Sequence, residues 1–270
     1  MQTLTLGPAG TYSHRAASAV ADDSEIAFSE SVTAIVESVA EGDAGRGVVP
    51  VENSIEGSVT EALDAFAEYE IAVLREVVTP IRHALLAQDE QFDTVASHAQ
   101  ALAQCRSYLE SHYPDADLEA VASTARGVQR ARDDPGVAAI GHPANADGVL
   151  GVLAEDIQDR TSNATRFLVV APASERSEAG SKTSVIVYPN RDYPGLLLAL
   201  LEPFADRDIN LTRVESRPSG ERLGDYVFHV DLAAGLYEAR TADALGVIEE
   251  IAADGWVRRL GSYDTETVVG

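Results

Sequence analysis

Three short polar clusters hold residue types that could do chemistry, and each lies where a strand pattern meets a turn. The first is Gly7-Pro8-Ala9-Gly10-Thr11-Tyr12-Ser13-His14, between a strand pattern at 4–6 and a helical pattern that begins at 15–20. Its glycines let a ligand approach the backbone, Thr11 and Ser13 offer hydroxyls, and the helix N-terminus presents N–H groups to an anion. An ordinary βα turn is the plain alternative. The second is Glu52-Asn53-Ser54-Ile55-Glu56-Gly57-Ser58, after the apolar run Val48-Val49-Pro50-Val51. Glu52, Asn53 and Ser54 at a strand's carboxyl end should face a crevice, while Ser58 and Glu61 read as a capping box opening a helix at 61–68. The third is Thr161-Ser162-Asn163-Ala164-Thr165-Arg166-Phe167, leading into a strand at 167–170. Arg166 offers a permanently charged fork shaped for a carboxylate, although alone it reads more readily as a surface salt bridge.

The elements that position these clusters alternate. Strand patterns at 4–6, 47–51, 73–78, 118–121, 137–140 and 167–170 are interleaved with helical patterns from 15, at 61–68, at 99–111 (halted before Pro114) and at 125–132. Alternation of this kind implies an α/β fold with largely parallel sheets, whose ligands sit beyond the carboxyl ends of the strands. Residues 171–181 are small, polar and aperiodic, so they read as a linker. Beyond them, strands at 183–188, 210–215, 226–232 and 256–263 and helices at 195–205 and 241–252 follow a βαββαβ order. That order is the ferredoxin-like arrangement, a four-stranded sheet with two helices on one face.

Composition narrows the function classes. The 270 residues include 44 acidic and 20 basic side chains, a net charge of -24, with Lys182 the sole lysine, which disfavours nucleic-acid binding. The carboxylates are spread along the chain, and self-repulsion of that size is screened only at high salt, so the composition reads as halophilic and haloarchaeal-like. With 45% hydrophobic residues and no apolar run approaching ~20 residues, no bilayer-spanning segment is expected, and the N-terminus lacks a signal-peptide pattern; a cytoplasmic protein is expected. Cys105 is the only cysteine, which excludes an internal disulfide. His83, His98, His142 and Cys105 lack metal-ligand spacing, so no metal is expected. The sequence contains no G-x-S-x-G elbow, P-loop or G-x-G-x-x-G. What remains is a cofactor-free site for a small anion.

Together, Gly7–Ser13, Pro50–Ser54 and Asn163–Phe167 resemble the Gly-Pro-x-Gly-Thr-aromatic-Ser, Pro-x-Glu-Asn-Ser and Asn-x-Thr-Arg-Phe segments of the prephenate dehydratase family. Ser97-His98-Ala99-Gln100-Ala101-Leu102 and Ser123-Thr124-Ala125 also look like that family. Pro194-Gly195-Leu196-Leu197 and the run from Ile209 to Pro218, which contains Glu215-Ser216-Arg217-Pro218, resemble its C-terminal ACT regulatory domain. Tyr12 stands where phenylalanine is common, and Ala99 where proline is often found.

The resemblance implies a catalytic domain over residues 1–176 with two lobes, like a type II periplasmic binding protein, and an ACT domain over 182–270. Lobe one would comprise 1–76 and 157–176, lobe two 77–156, with the site in the cleft between them. It further implies decarboxylating dehydration of prephenate, with Thr165 assisting departure of the hydroxyl and Arg166, Asn53 and Glu52 beside it. Thr11, Ser54, Ser123, Thr124 and Phe167 would contact substrate, with His83 near them. A carboxylate at Glu52 would repel a dianionic substrate, so a structural role fits it as well as chemistry does. L-phenylalanine would bind Gly195, Leu196, Asn210, Leu211, Glu215, Ser216 and Arg217 between paired ACT domains of a homodimer or homotetramer. The motifs fit the aminated substrate arogenate equally, and a non-catalytic amino-acid sensor could share the fold; retention of Thr165 with Arg166 favours the enzyme.

Overall fold

The computed structural model describes residues 2–160, 162–177 and 179–268. Its first sheet is built on the predicted apolar strands, and they run longer than their patterns. The order across it is Thr265–Thr267, Ile71–Pro80, Ala164–Pro172, Arg46–Asn53, Thr3–Leu6, Ile26–Ser29, with Gly57–Ser58 folded back on Arg46–Asn53. Thr3–Leu6 pairs in parallel with both of its neighbours. The extension of two strands moves Glu52, Asn53, Thr165 and Arg166 from loops into the sheet itself.

Helices Val32–Glu41 and Thr60–Glu68 supply buried stripes (Val32, Ile35, Val36, Val39 and Ala62, Ala65, Phe66) to the core of this sheet. The first was not among the expected elements, though Ser31 caps it and Gly42 ends it in the left-handed region. The expected Ser58/Glu61 capping box does not form. Ser58 is held in a strand pair and its hydroxyl donates to Glu215, while the Glu61 carboxylate accepts from the Thr33 N–H. Tertiary partners outcompete the local cap.

A second sheet has the order Gly151–Ala154, Ala84–Ala87, Val137–Gly141, Thr94–His98, Asp117–Val121. Thr94–His98 is parallel to both neighbours, and Thr124–Asp133 packs across it so closely that a Cβ on Gly127 would lie 2.5 Å from the Ala96 carbonyl. The helix expected at 99–111 is two helices, Ala99–Gln104 and Arg106–His112. They part at Cys105, where the Gln104 carbonyl accepts from the Asp159 N–H instead of continuing the helical ladder.

The third sheet is antiparallel, in the order Leu211–Pro218, Tyr226–Leu232, Lys182–Tyr188, Trp256–Tyr263. Strand alternation divides its side chains. Val185, Val187, Phe228 and Val230 meet helices Leu196–Ala205 and Ala239–Ile251, whereas Ile186, Val227, Leu260 and Tyr263 join the core of the first sheet. The expected linker is a pinned turn: a Cβ on Gly180 would lie 2.2 Å from the Tyr263 nitrogen, and Glu175 bonds Arg46 at 2.6 Å.

The chain separates into two compact units. One takes residues 2–6 with Ala16–Val78 and Arg166–Val268; the other takes Gly7–Arg15 and Thr79–Thr165. The first sheet and the ferredoxin-like sheet thus share a unit, and Gly7–Arg15 groups with the second sheet instead of with the strand that precedes it. Among the described residues no helix is long and apolar enough to cross a membrane.

Candidate active site

In the unit built on the second sheet, the helix after the first cluster begins at Tyr12, not Arg15, because Thr11 caps it: its hydroxyl accepts from the His14 N–H. Gly10 lies at φ +82°, and its N–H donates to the His14 Nδ1. The Tyr12 hydroxyl donates to the Arg82 carbonyl at 2.5 Å, and its ring meets His83 and His142 edge-on. Burial raises the Tyr12 pKa, so the phenol stays a donor. His83 is pushed below its usual pKa by burial and is therefore neutral. The Gln104 amide oxygen lies 2.9 Å from its Nε2 and also accepts from Asn163 at 2.9 Å. An oxygen there makes His83 Nε2 the protonated nitrogen, leaving Nδ1 a buried lone pair with no hydrogen-bond partner among the described residues.

Ser123 caps Thr124–Asp133 by accepting from the Arg126 N–H, which places Ser123 and Thr124 at a helix N-terminus. Asn163 is 2% exposed, and its carbonyl accepts from the Ile81 N–H. Thr161, the first residue of the third cluster, lies outside the described residues.

Thr165 closes this unit and Arg166 opens the other. Consecutive strand residues point to opposite faces, so their side chains diverge. The Arg166 guanidinium is not free to clamp a substrate carboxylate, as the motif had suggested. Its Nε donates to Glu76, its Nη1 to Asp231 at 2.5 Å and its Nη2 to the Tyr263 hydroxyl at 3.0 Å. Nor is it a surface ion pair, with its side chain only 13% exposed. Burial opposes its charge, but Asp231, Tyr263 and Glu76 outweigh that and hold its pKa above the ordinary value. Burial also opposes the charge of Glu76, and Arg166 with hydrogen bonds from Lys182 and Thr265 holds that carboxyl below its usual range.

Glu52 lies on the Arg166 face, 3.7 Å from both Arg166 and Arg213, so it faces guanidinium groups within the fold. Asn53 points the other way, and its side-chain oxygen accepts from the Ile55 and Glu56 N–H groups. Ser54 is exposed, whereas Phe167 is 1% exposed and fills core instead of presenting a surface to substrate. Sequence reasoning missed Glu76, Asp231, Ser184 and Tyr263. The signal was present: Glu76 and Asp231 are ionisable residues inside the apolar strands Ile71–Pro80 and Tyr226–Leu232.

The effector motif divides in the same way. A cavity of about 360 Å³ is lined by Gly195, Leu196 and Ser216 together with Arg191, Tyr193, Tyr226 and Phe228. Glu215 and Arg217 occupy the other face of Leu211–Pro218, where they bond Ser58 at 2.8 Å and Asp64 at 2.9 Å. Asn210 and Leu211 lie at the opposite end of that strand, and Glu215-Ser216-Arg217-Pro218 is strand, not loop. The constraint on Gly195 is its φ of +92°, not crowding: a Cβ there would meet nothing within 4 Å.

His229, beside these residues, gives a pH dependence. Burial, then Arg213, lowers its pKa from 6.5 to about 4, against smaller opposing effects of Asp231 and Asp64. Its neutral form stabilises the fold fully above pH 6.5, and this contribution is lost as pH falls from 6.5 towards 4. Over that window the wild type should lose about 1 kcal/mol per pH unit more than His229→Gln. Equal acid limbs in urea unfolding of the two proteins would refute the assignment.

An α/β core followed by a ferredoxin-like sheet defines the class, and comparison with known proteins gives the particular family. Residues 3–175 match the prephenate dehydratase family profile and residues 185–249 the ACT domain profile. The chain is 40% identical over 235 residues to the prephenate dehydratase of Methanocaldococcus jannaschii, an alignment covering 83% of this chain and 85% of that protein. It is 39% identical over 263 residues to the bifunctional chorismate mutase/prephenate dehydratase of Aquifex aeolicus, covering 96% of this chain and 72% of that protein. It superposes on the Arthrobacter aurescens prephenate dehydratase, solved in complex with L-Phe, with a TM-score of 0.88 at 36% identity, covering 98% and 90% of the two chains. The chain belongs to the prephenate dehydratase family and carries a C-terminal ACT domain.

Proposed function

We propose that this chain converts prephenate to phenylpyruvate, carbon dioxide and water, with the Thr165 hydroxyl as the donor to the departing oxygen. The observation that carries this reading is the anchoring on either side of Thr165. Asn163 is tied to Gln104 and Ile81, and Arg166 to Glu76 and Asp231. A strand anchored on both sides of Thr165 keeps its backbone in place, so the hydroxyl would need little reorganisation as the bond breaks. Loss of the ring carboxylate sends its bonding electrons into the ring, the ring becomes aromatic, and the hydroxyl leaves with a proton as water. Aromatisation drives the step, so a neutral donor suffices. Thr11, Ser123 and Thr124, at two helix starts, supply hydroxyl and N–H donors for the substrate carboxylates, and Asn53 and Ser54 orient the ring. Phenylpyruvate release from prephenate, assayed beside arogenate, tests the reading; turnover of arogenate alone would overturn it.

The net charge of -24 supports a salt-adapted cytoplasmic setting. Turnover and melting temperature should both rise between ~0.1 and ~2 M potassium chloride, since a Debye length of ~3 Å at 1 M screens the repulsion. Flat profiles would remove the halophilic assignment.

The cavity at Gly195 is proposed as the L-phenylalanine site. The N–H groups opening helix Leu196–Ala205 would take the carboxylate, and Tyr226 and Phe228 the ring. Exposed Leu197, Leu198 and Tyr226 line it, Val214 is exposed on the strand Leu211–Pro218, and these apolar side chains support pairing of two ACT domains in a homodimer or homotetramer. Gly195→Val forces a β-branched residue to a φ of +92°. That variant should keep basal turnover and need at least ~10-fold more phenylalanine for half-inhibition. Unchanged inhibition would place the effector elsewhere.

A further inference from the structure

The polar cluster around Arg166 does more than satisfy a buried charge. Glu76 lies in Ile71–Pro80, and Arg166 in the neighbouring strand Ala164–Pro172. These two strands reach the points where the chain leaves one compact unit and enters the other, after Val78 and before Arg166. Glu76 Oε1 accepts from Lys182 Nζ at 2.6 Å and from Thr265 Oγ1 at 2.7 Å, while its Oε2 accepts from Arg166. Lys182 begins the ACT sheet, and Thr265 belongs to the strand that returns from that sheet to pair with Ile71–Pro80.

Asp231 holds the other side of the guanidinium. It is an ACT-sheet residue, and its Oδ1 accepts from Ser184 Oγ at 2.5 Å. Ser184 in turn lies 2.6 Å from the Tyr263 hydroxyl, which itself accepts from Arg166 Nη2. The Asp231 and Glu76 side chains are 5% and 2% exposed, so neither carboxylate is placed to bind a solvent ion or the substrate. Their geometry is set by Arg166. Arg166 is joined to Thr165 by one peptide bond in the strand Ala164–Pro172, so a shift of the Arg166 backbone is passed directly to Thr165.

We propose that Glu76 and Asp231 are positioning residues for Thr165, acting through Arg166, and that Asp231 is where the ACT sheet bears on the reaction. The proposal rests on the assignment of Thr165 as the donor. A movement of Tyr226–Leu232 would alter the Asp231 carboxylate and with it the Arg166 fork, so the Thr165 hydroxyl would lose its aim without any effector entering the site. The effector cavity is lined by Tyr226 and Phe228 of that same strand.

The test uses the full chain with Glu76→Gln, Asp231→Asn and Tyr263→Phe, measuring turnover of prephenate and inhibition by L-phenylalanine. A positioning role lowers kcat about tenfold or more and leaves KM within about threefold, because the aim of the donor matters most in the transition state. Asp231→Asn should also weaken phenylalanine inhibition. Thr165→Ser keeps a hydroxyl, so its double mutant with Asp231→Asn separates the routes. Acting through Thr165, the two changes together lower kcat much less than the product of their separate effects; independent action multiplies them. Folded Glu76→Gln and Asp231→Asn proteins with wild-type kcat, or a strictly multiplicative double mutant, would overturn the proposal. If a carboxamide variant fails to fold, Tyr263→Phe, which leaves both carboxylates charged, is expected to show the same kcat-only loss at smaller amplitude, and its absence counts against the proposal. Thr165→Ala assayed in parallel isolates the underlying reading: full activity there removes the donor assignment itself.

Discussion

Thr165→Ala is expected to lower kcat with prephenate by ~10²–10⁴-fold while KM stays within a few-fold of the wild-type value. In the proposed role the hydroxyl serves a group whose charge develops only as the carbon–oxygen bond breaks, so its loss would fall on the transition state and hardly on the bound ground state. The strand Ala164–Pro172 should be unaffected, because its neighbours Asn163 and Arg166 keep their own partners. Thr165→Ser should recover part of the activity, while Thr165→Val, which keeps the branched shape without the hydroxyl, should not. Steady-state kinetics of the three variants decide the point. An alanine variant with most of the wild-type turnover would show that another group protonates the leaving oxygen.

Arg166→Ala should first of all unfold the protein more easily. Truncation strands the Glu76 and Asp231 carboxylates, whose side chains are 2% and 5% exposed, without their principal counter-charge. Breaking a buried pair in this way costs about 3–5 kcal/mol, a large part of the ~5–15 kcal/mol that holds a typical domain folded. At this chain length the melting temperature should drop by roughly 10 °C. Arg166→Lys keeps the charge but not the fork, so it should melt closer to wild type and still lose turnover. Thermal unfolding with circular dichroism, run beside kinetics, separates the outcomes. An alanine variant that melts normally and shows only a raised KM would return Arg166 to direct binding of a substrate carboxylate.

Much of this chemistry was legible as local pattern. The polar segments Gly7–Ser13, Pro50–Ser54 and Asn163–Phe167 fall at strand ends and turns, and the alternation of elements marks an α/β core before a βαββαβ sheet. What was missed turned on where the strands begin and end. Once the strand is known to begin at Ala164, period-two alternation says that Thr165 and Arg166 cannot face one ligand together. The same parity separates Glu52 from Asn53, and Ser216 from Glu215 and Arg217. Motifs group residues by order along the chain, whereas a strand deals them to two faces.

The sequence by itself determined the kinds of element, the family and the acidic balance, because these depend on residue type and short-range period. Only the tertiary structure decided which charges meet. Arg166 finds Glu76 across 90 residues, Asp231 across 65 and Tyr263 across 97; Ser58 finds Glu215 across 157. With 44 carboxylates for 20 basic side chains, residue type leaves every arginine many possible partners. Strand order and register choose among them, since the buried cation can be satisfied only by the carboxylates that the packed sheets bring to it.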